Sequence, residues 1–342
     1  MQAALITDKE KIEFVEFEPS DPESNQVVVD IIFCGICGTD IHSYQSPGPA
    51  WPSTCGHEWT GIISKTGSEV TRVTEGDRVI IAVPPSCGTC PACLAGQMSK
   101  CQTVLTAMVG RGPFETPHGG FAEQLTIHHG RVVPVKNPDL TDEQAAQIEP
   151  AAICFHAVRA TAPRLGDVAV IQGAGPIGLS ALQWVLAAGA GTTIVVEPNE
   201  TRRNLALTLG AHHSIDPSDA REFVAEHTGG LGGDVVYECA GIPATVQSAV
   251  DLARRGGRVS LIGLAMGDAP MRPREWLNKE ITVSAALGYT HEEFEMTMGY
   301  VSDGRIDLDA LHSGTIDLAD IAETFAELAT GQSEHTKVLV RP

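Results

Sequence analysis

The sequence predicts an α/β protein of two domains, one of them built on a doubly wound parallel sheet. Three observations point there. The chain has 342 residues, a Gly173-x-Gly175-x-x-Gly178 turn sits between an apolar strand and a helix, and further strands alternate with helices behind it. A chain this long exceeds one ordinary core. Strands alternating with helices are the pattern of a parallel sheet covered on both faces.

Taken in order, Val168 to Gln172 reads as a short apolar strand, Gly173 to Gly175 as a turn, Pro176 to Ala188 as a helix and Thr192 to Glu197 as a second strand. The whole stretch from Val168 to Val196 lacks a charged residue, which a hydropathy window reads as a membrane span. Its glycines decide otherwise, because they leave a helix well short of the roughly 20 residues that cross a bilayer. No membrane association is expected. Asp234 to Cys239, Arg258 to Gly263 and Ile281 to Ala286 continue the strands, with Thr245 to Ala253 helical between them.

The turn carries chemistry as well as geometry. Gly173 permits the tight bend, Gly175 lets a pyrophosphate approach the backbone, and Gly178 lets helix and strand pack closely. Pro176 and Ile177 open the helix, whose N-terminus then faces phosphate. Glu197, at the end of the next strand, is placed to accept hydrogen bonds from an adenosine ribose and to repel a 2′-phosphate, so NAD is expected over NADP. Arg202 and Arg203 follow closely, as phosphate partners or as a solvated helix face. The turns at Ala240-Gly241 and Gly263-Leu264 follow strand C-termini, the edge where such sheets bind ligands.

Lys plus Arg number 23 against 43 Asp plus Glu, a net charge of −20 that repels phosphate backbones, so nucleic acid is excluded as a partner.

Cys87, Cys90, Cys93 and Cys101 form a CxxCxxCx7C run in a glycine- and proline-broken loop. Thiolates are ligands that tetrahedral Zn2+ prefers, and two-residue gaps let neighbouring sulfurs converge on one ion. Two disulfides are the alternative reading. The chain opens MQAALITDKEKIE, without an apolar stretch for secretion, and a reducing cytoplasm, the expected location, disfavours them. Four protein ligands leave no open position, so this zinc should be structural.

A second metal set lies upstream. Cys37-Gly38-Thr39-Asp40-Ile41-His42 is followed by Gly56-His57-Glu58 and later by Glu149-Pro150. Cysteine, histidine and carboxylate suit a zinc that keeps a position for water or substrate. Cys37 also reads as a buried thiol and Glu58 as a surface charge; their company with a dinucleotide turn favours the metal.

CGTDIH, GHE, the cysteine quartet and GAGPIG occur in the order seen in medium-chain zinc-dependent alcohol and polyol dehydrogenases, and the chain resembles that family over essentially its whole length. Gly241-Ile242-Pro243-Ala244 and Ile148-Glu149-Pro150 resemble the sorbitol, butanediol and threonine dehydrogenase branch most. The resemblance implies a mostly β, GroES-like catalytic domain over residues 1–150, to which 289–342 return, and a Rossmann cofactor domain over 151–288. It implies that Cys37 and His57 bind the catalytic zinc, with Glu58 and Glu149 sharing the carboxylate role directly or through the zinc-bound water. Asp40 would hydrogen-bond His57 and fix its ring, and Lys337 would help hold cofactor phosphate or stand exposed at a strand end. Cys34, Cys55, Cys154 and Cys239 read as buried thiols.

The implied reaction moves a hydride between NAD and a secondary alcohol, diol or cyclic polyol. Thr39 would take the alcohol proton and pass it, through the cofactor ribose, to His42 and solvent. Tyr44, Trp51, Phe114, Trp276 and Tyr289 are candidates for the pocket wall. No arginine pair near CGTDIH marks a carboxylate substrate. Rival functions are an epimerase or lyase that borrows NAD transiently, and a silent zinc and nucleotide sensor. Families of this kind usually form homodimers or homotetramers.

Overall fold

The structure is a computed structural model that describes residues 1–46 and 55–342. It divides into two compact units, the first holding Met1–Glu149, Tyr289–Ser302 and His312–Pro342, the second Pro150–Gly288 and Asp303–Leu311. The short excursion of Asp303–Leu311 into the second unit is tied by Gln183, whose side chain exchanges hydrogen bonds with the Asp307 backbone at 2.9 and 2.6 Å.

The second unit is built on six parallel strands in the order His213–Ile215, Thr192–Val196, Val168–Gln172, Gly233–Glu238, Ala253–Leu261 and Thr282–Ala285. The uncharged stretch that resembled a membrane span is its centre. Val170, Ile171, Ile194 and Val195 are buried because helices cover both faces of a parallel sheet. Among the described residues no helix is long and apolar enough to cross a membrane. The strand expected from Arg258 to Gly263 starts earlier, at Ala253, and ends at Leu261, since the preceding helix, Pro243–Leu252, stops one residue before it.

The first unit is dominated by strands Gln26–Gly35, Glu58–Thr66, Arg78–Ile81, Val132–Pro134 and Gln124–His128, joined by the C-terminal Lys337–Arg341 and His312–Asp317. Val27, Val29, Trp59, Ile63, Val79, Ile127, Phe325 and Val340 form its core. One register matters for the site. Gly35 pairs with Glu58 on one side and with Leu339 on the other, so Glu58 and the start of the C-terminal strand flank a residue with no side chain.

Candidate metal centres and cofactor site

The four quartet sulfurs lie within 4.8 Å of one another, with Cys87 Sγ and Cys93 Sγ 4.0 Å apart. Four sulfurs at about 2.3 Å from one tetrahedral ion stand roughly 3.8 Å apart, so the set fits zinc closely. Local backbone explains the convergence. Cys90 caps the short helix Pro91–Leu94, which carries Cys93, and Cys101 starts the helix after it. The Thr89 backbone and hydroxyl and the Cys90 amide pull the Cys87 thiol down to about 5, whereas burial pushes Cys93 up to about 12. A dication is what turns such a mixed set into four thiolates.

In the second cluster the ligand atoms of Cys37, His57 and Glu58 also lie within 4.8 Å of one another. Cys37 precedes the helix Gly38–Gln45, and Asp40 on its first turn holds the arrangement. Asp40 accepts from the Cys37 amide at 2.9 Å and from the Gly56 amide at 3.1 Å, tying the two motifs together. Its distance to His57 Nδ1 is 3.6 Å, an electrostatic contact rather than the expected hydrogen bond. Thr39 Oγ1 stands 3.4 Å from His57 Nε2, on the other side of the ring. Burial opposes a charged His57, but Cys37, Asp40 and Glu149 outweigh it and raise its pKa well above the ordinary value. The pocket therefore has an excess of negative groups, as a cation site needs.

Glu149 stands outside that cluster of three but interacts with His57. Burial, aided by Glu58, pushes its carboxyl up to about 7, against the opposing influence of His57 and the neighbouring Tyr289 hydroxyl. His42 shares a helix face with Thr39, one turn on. It is half-buried, which lowers its pKa, and its Nδ1 has no partner among the described residues.

Lys337 requires a correction. It is 3% exposed, and its Nζ donates to the Ile36 carbonyl at 2.9 Å and to Glu58 Oε2 at 2.5 Å. The ammonium is spent inside the first unit on a carbonyl and a carboxylate rather than standing exposed at a strand end. Gly35 makes the pairing possible, since a Cβ there would overlap Glu58 Oε2.

Tyr44 is likewise core rather than pocket wall, with its ring edge-on to Phe325 at 5.6 Å. Trp276 packs against the core of the second unit and donates to Gln247 at 3.0 Å, and Tyr289 is buried against Glu149. Trp51 lies outside the described residues. Phe114 does line a cavity, one that opens on His57. Cys34, Cys55 and Cys154 are buried, and Cys239, which directly follows the strand Gly233–Glu238, is partly exposed.

In the second unit the glycine turn has the shape a pyrophosphate requires. Gly173 has φ +93°, a Cβ on Gly178 would collide with the Gly173 carbonyl, and the space over Gly175 is open. Pro176 begins the helix Pro176–Ala187, with Ile177 next. Glu197 accepts from the Ala174 amide at 2.7 Å and the Asn199 amide at 3.0 Å, which leaves acceptor capacity on both oxygens. Arg202 donates its amide to the Asn199 cap at 3.0 Å, and Arg203 is engaged by the Glu197 and Pro198 carbonyls at 2.8 and 2.6 Å.

The Ala240-Gly241 and Gly263-Leu264 turns pack backbone to backbone beside Gly173. Glu238, which no motif singled out, holds them by accepting from the Ala240 and Gly241 amides at 2.9 Å each. A buried acid one residue ahead of Cys239-Ala240-Gly241 is the only signal the sequence offered for it.

A thiolate, an imidazole and carboxylates around one point, in a chain that also carries a dinucleotide turn, define a metal-dependent dehydrogenase. Residues 176–302 match the family described as zinc-binding dehydrogenase and residues 23–137 the alcohol dehydrogenase GroES-like domain. The chain is 31% identical to the 2-dehydro-3-deoxy-L-galactonate 5-dehydrogenase of Pseudoalteromonas atlantica, over 99% of this chain and 98% of that one. It is 30% identical to the sorbitol dehydrogenase of Bacillus subtilis, covering 100% and 97%. The crystal structure of the 2R,3R-butanediol dehydrogenase of Bacillus subtilis superposes with a TM-score of 0.84 at 28% identity, covering 100% and 99%. The chain belongs to the zinc-dependent medium-chain alcohol and polyol dehydrogenases. It is an oxidoreductase of CH–OH groups that works with zinc and a nicotinamide dinucleotide on small molecules.

Proposed function

We propose that this chain oxidises a secondary hydroxyl of a polyhydroxylated substrate to a ketone, reversibly, with NAD as the hydride acceptor. The observation that carries it is the convergence of Cys37, His57 and Glu58 within 4.8 Å, with His57 also lining a cavity. Relatives named for sorbitol and for a deoxygalactonate support a hydroxyl-rich substrate.

Zinc, when bound, supplies a Lewis acid that lowers the pKa of the alcohol. Cys37, His57 and the carboxylates Glu58 and Glu149 hold it. Lys337 Nζ donates to Glu58 Oε2, which leaves the other Glu58 oxygen for the metal, and Tyr289 lies beside Glu149. Asp40 ties the Cys37 and Gly56 backbones. Thr39 receives the alcohol proton and His42, kept neutral by burial, passes it to solvent. Gly173, Gly175, Pro176, Ile177 and Gly178 wrap the pyrophosphate, with Ala240, Gly263 and Leu264 beside them, and Glu197 takes the ribose hydroxyls. Residues 1–150 with 289–342 form the catalytic domain in this reading, and 151–288 the cofactor domain.

The test is a polyol and ketone panel followed through reduced-nicotinamide absorbance with NAD and NADP at equal concentration. Turnover with NAD should exceed that with NADP by at least about tenfold, because a 2′-phosphate would meet the Glu197 carboxylate. Preference for NADP would overturn the assignment of Glu197. Conversion of substrate without net NADH would turn the reading into a transient-oxidation enzyme.

The strand Thr282–Ala285 ends its sheet, and Leu264, Met266, Met271, Leu277 and Leu287 near it are each more than half exposed. An open strand edge with an apolar surround supports pairing with a second copy, so a homodimer or homotetramer is expected. Light scattering on a sizing column should give a multiple of 36.2 kDa. A monomeric mass would refute it. We place the chain in the cytoplasm, whose reducing conditions suit nine cysteines that form no disulfide.

A further inference from the structure

The cavity at His57 mixes apolar groups such as Met108 and Phe114 with polar ones such as Thr116 and His57, and Arg131 is the one permanent charge among its described lining residues. Two of its groups are committed to structure. Nε donates to the Ala82 carbonyl at 2.8 Å and Nη1 to the Ala107 carbonyl at 2.9 Å, at the end of the helix Gln102–Met108. Among the described residues nothing accepts a hydrogen bond from Nη2.

Both acceptors are neutral, so neither balances the guanidinium charge. The acidic groups that influence Arg131 are Tyr289 and Glu149, and burial keeps the tyrosine neutral. With Glu149 committed to the metal centre, as the reading above has it, Arg131 is a partly buried cation that makes no ion pair among the described residues. Charge left in such a place is costly unless a counter-ion arrives.

We propose that Arg131 receives a carboxylate of the substrate, so that the preferred substrates are polyhydroxy acids rather than neutral polyols. The planar guanidinium edge matches a carboxylate. Thr116, which also lines the cavity, adds a hydroxyl donor. Two fixed carbonyl contacts hold the guanidinium in one orientation, which gives it the rigidity a recognition group needs. The inference rests on the dehydrogenase reading and narrows it.

The test compares, with NAD, a set of aldonates, the alditols of matching stereochemistry and the corresponding alditol phosphates. An aldonate should exceed its alditol in kcat/KM by about 10- to 100-fold, the range expected of a hydrogen-bonded charge. In Arg131→Gln that ratio should fall towards one, mainly through KM, and Arg131→Lys should restore part of it. The wild-type panel stands whether or not either variant folds. As a readout apart from turnover, the aldonate should raise the melting temperature of the NADH complex in the wild type and not in Arg131→Gln. Alditols used as well as aldonates, or alditol phosphates preferred, would overturn the carboxylate site while leaving the dehydrogenase reading intact. A ratio that Arg131→Gln leaves unchanged would do the same. Absence of NADH with every member would overturn both.

Discussion

Replacing Cys37 with serine should lower kcat/KM for any accepted alcohol by at least about a thousandfold, with the melting temperature almost unmoved. The size follows from what a Lewis acid supplies, several kcal/mol of charge stabilisation at the alkoxide, where each 1.4 kcal/mol is a factor of ten. The persistence of the fold follows from position. Cys37 is the N-cap of the helix Gly38–Gln45, where serine is among the preferred residues, and the Asp40 side chain continues to accept from its backbone amide. Paired measurements check this, with NADH formation for activity, calorimetry for stability and mass spectrometry for metal. The variant should keep one zinc per chain. A loss of melting temperature comparable to that of the quartet variant below would end the division of labour between the two centres.

Cys93→Ser should have the opposite profile, a melting temperature lower by on the order of 10 °C. The loop it belongs to has little else to hold it. Its regular structure amounts to the helices Pro91–Leu94 and Met98–Lys100, and Leu94 and Met98 point to solvent at 76% and 43% exposure. Cys93 and Cys101, by contrast, are buried, so the sulfurs form the loop's small interior. Removing one ligand opens the tetrahedron and leaves a buried thiol set with no shared cation. A loss of about 4 kcal/mol is a reasonable fraction of what structural zinc supplies to small domains. Thermal scans with and without a chelator give the comparison. Turnover measured well below the new melting point should fall far less than in Cys37→Ser. Unchanged stability would mean that the quartet holds no structural ion.

Both results depend on features readable in the chain before any fold is known. Ligands two residues apart must converge on one ion whatever surrounds them, and three glycines at fixed spacing make the same turn in any strand-to-helix junction. The buried strands were legible for a related reason, since a parallel sheet covered on both faces tolerates no charge and so writes a continuous apolar run. Strand ends were less legible. The stretch Ala253–Leu261 has two arginines and two glycines directly after its first residue, and only the pairing of Ala253 with Gly233 brings that beginning into the strand.

The aromatic candidates show where reading residue by residue fails. Tyr44, Trp276 and Tyr289 are all turned inward, while Phe114 reaches the cavity at His57, and nothing in their local sequence separates the cases. A large ring is buried somewhere in nearly every fold, and its neighbours across the sheet decide where. Lys337 was missed as the partner of Glu58 because 279 positions separate them. Arg131 and Glu238 were missed because neither belongs to a motif.

The sequence by itself therefore determined the metal type, the dinucleotide turn, the acidic residue beside it and the family. These rest on short spacings, whose geometry is set by covalent connection and local dihedrals. Only the tertiary structure decided that Lys337 is buried against Glu58 over Gly35, that Tyr289 is buried beside Glu149, and that Arg131 lines the cavity at His57. Strand register and burial bring such groups together across long stretches of chain, and a charge acquires its meaning from the counter-charge that folding places beside it.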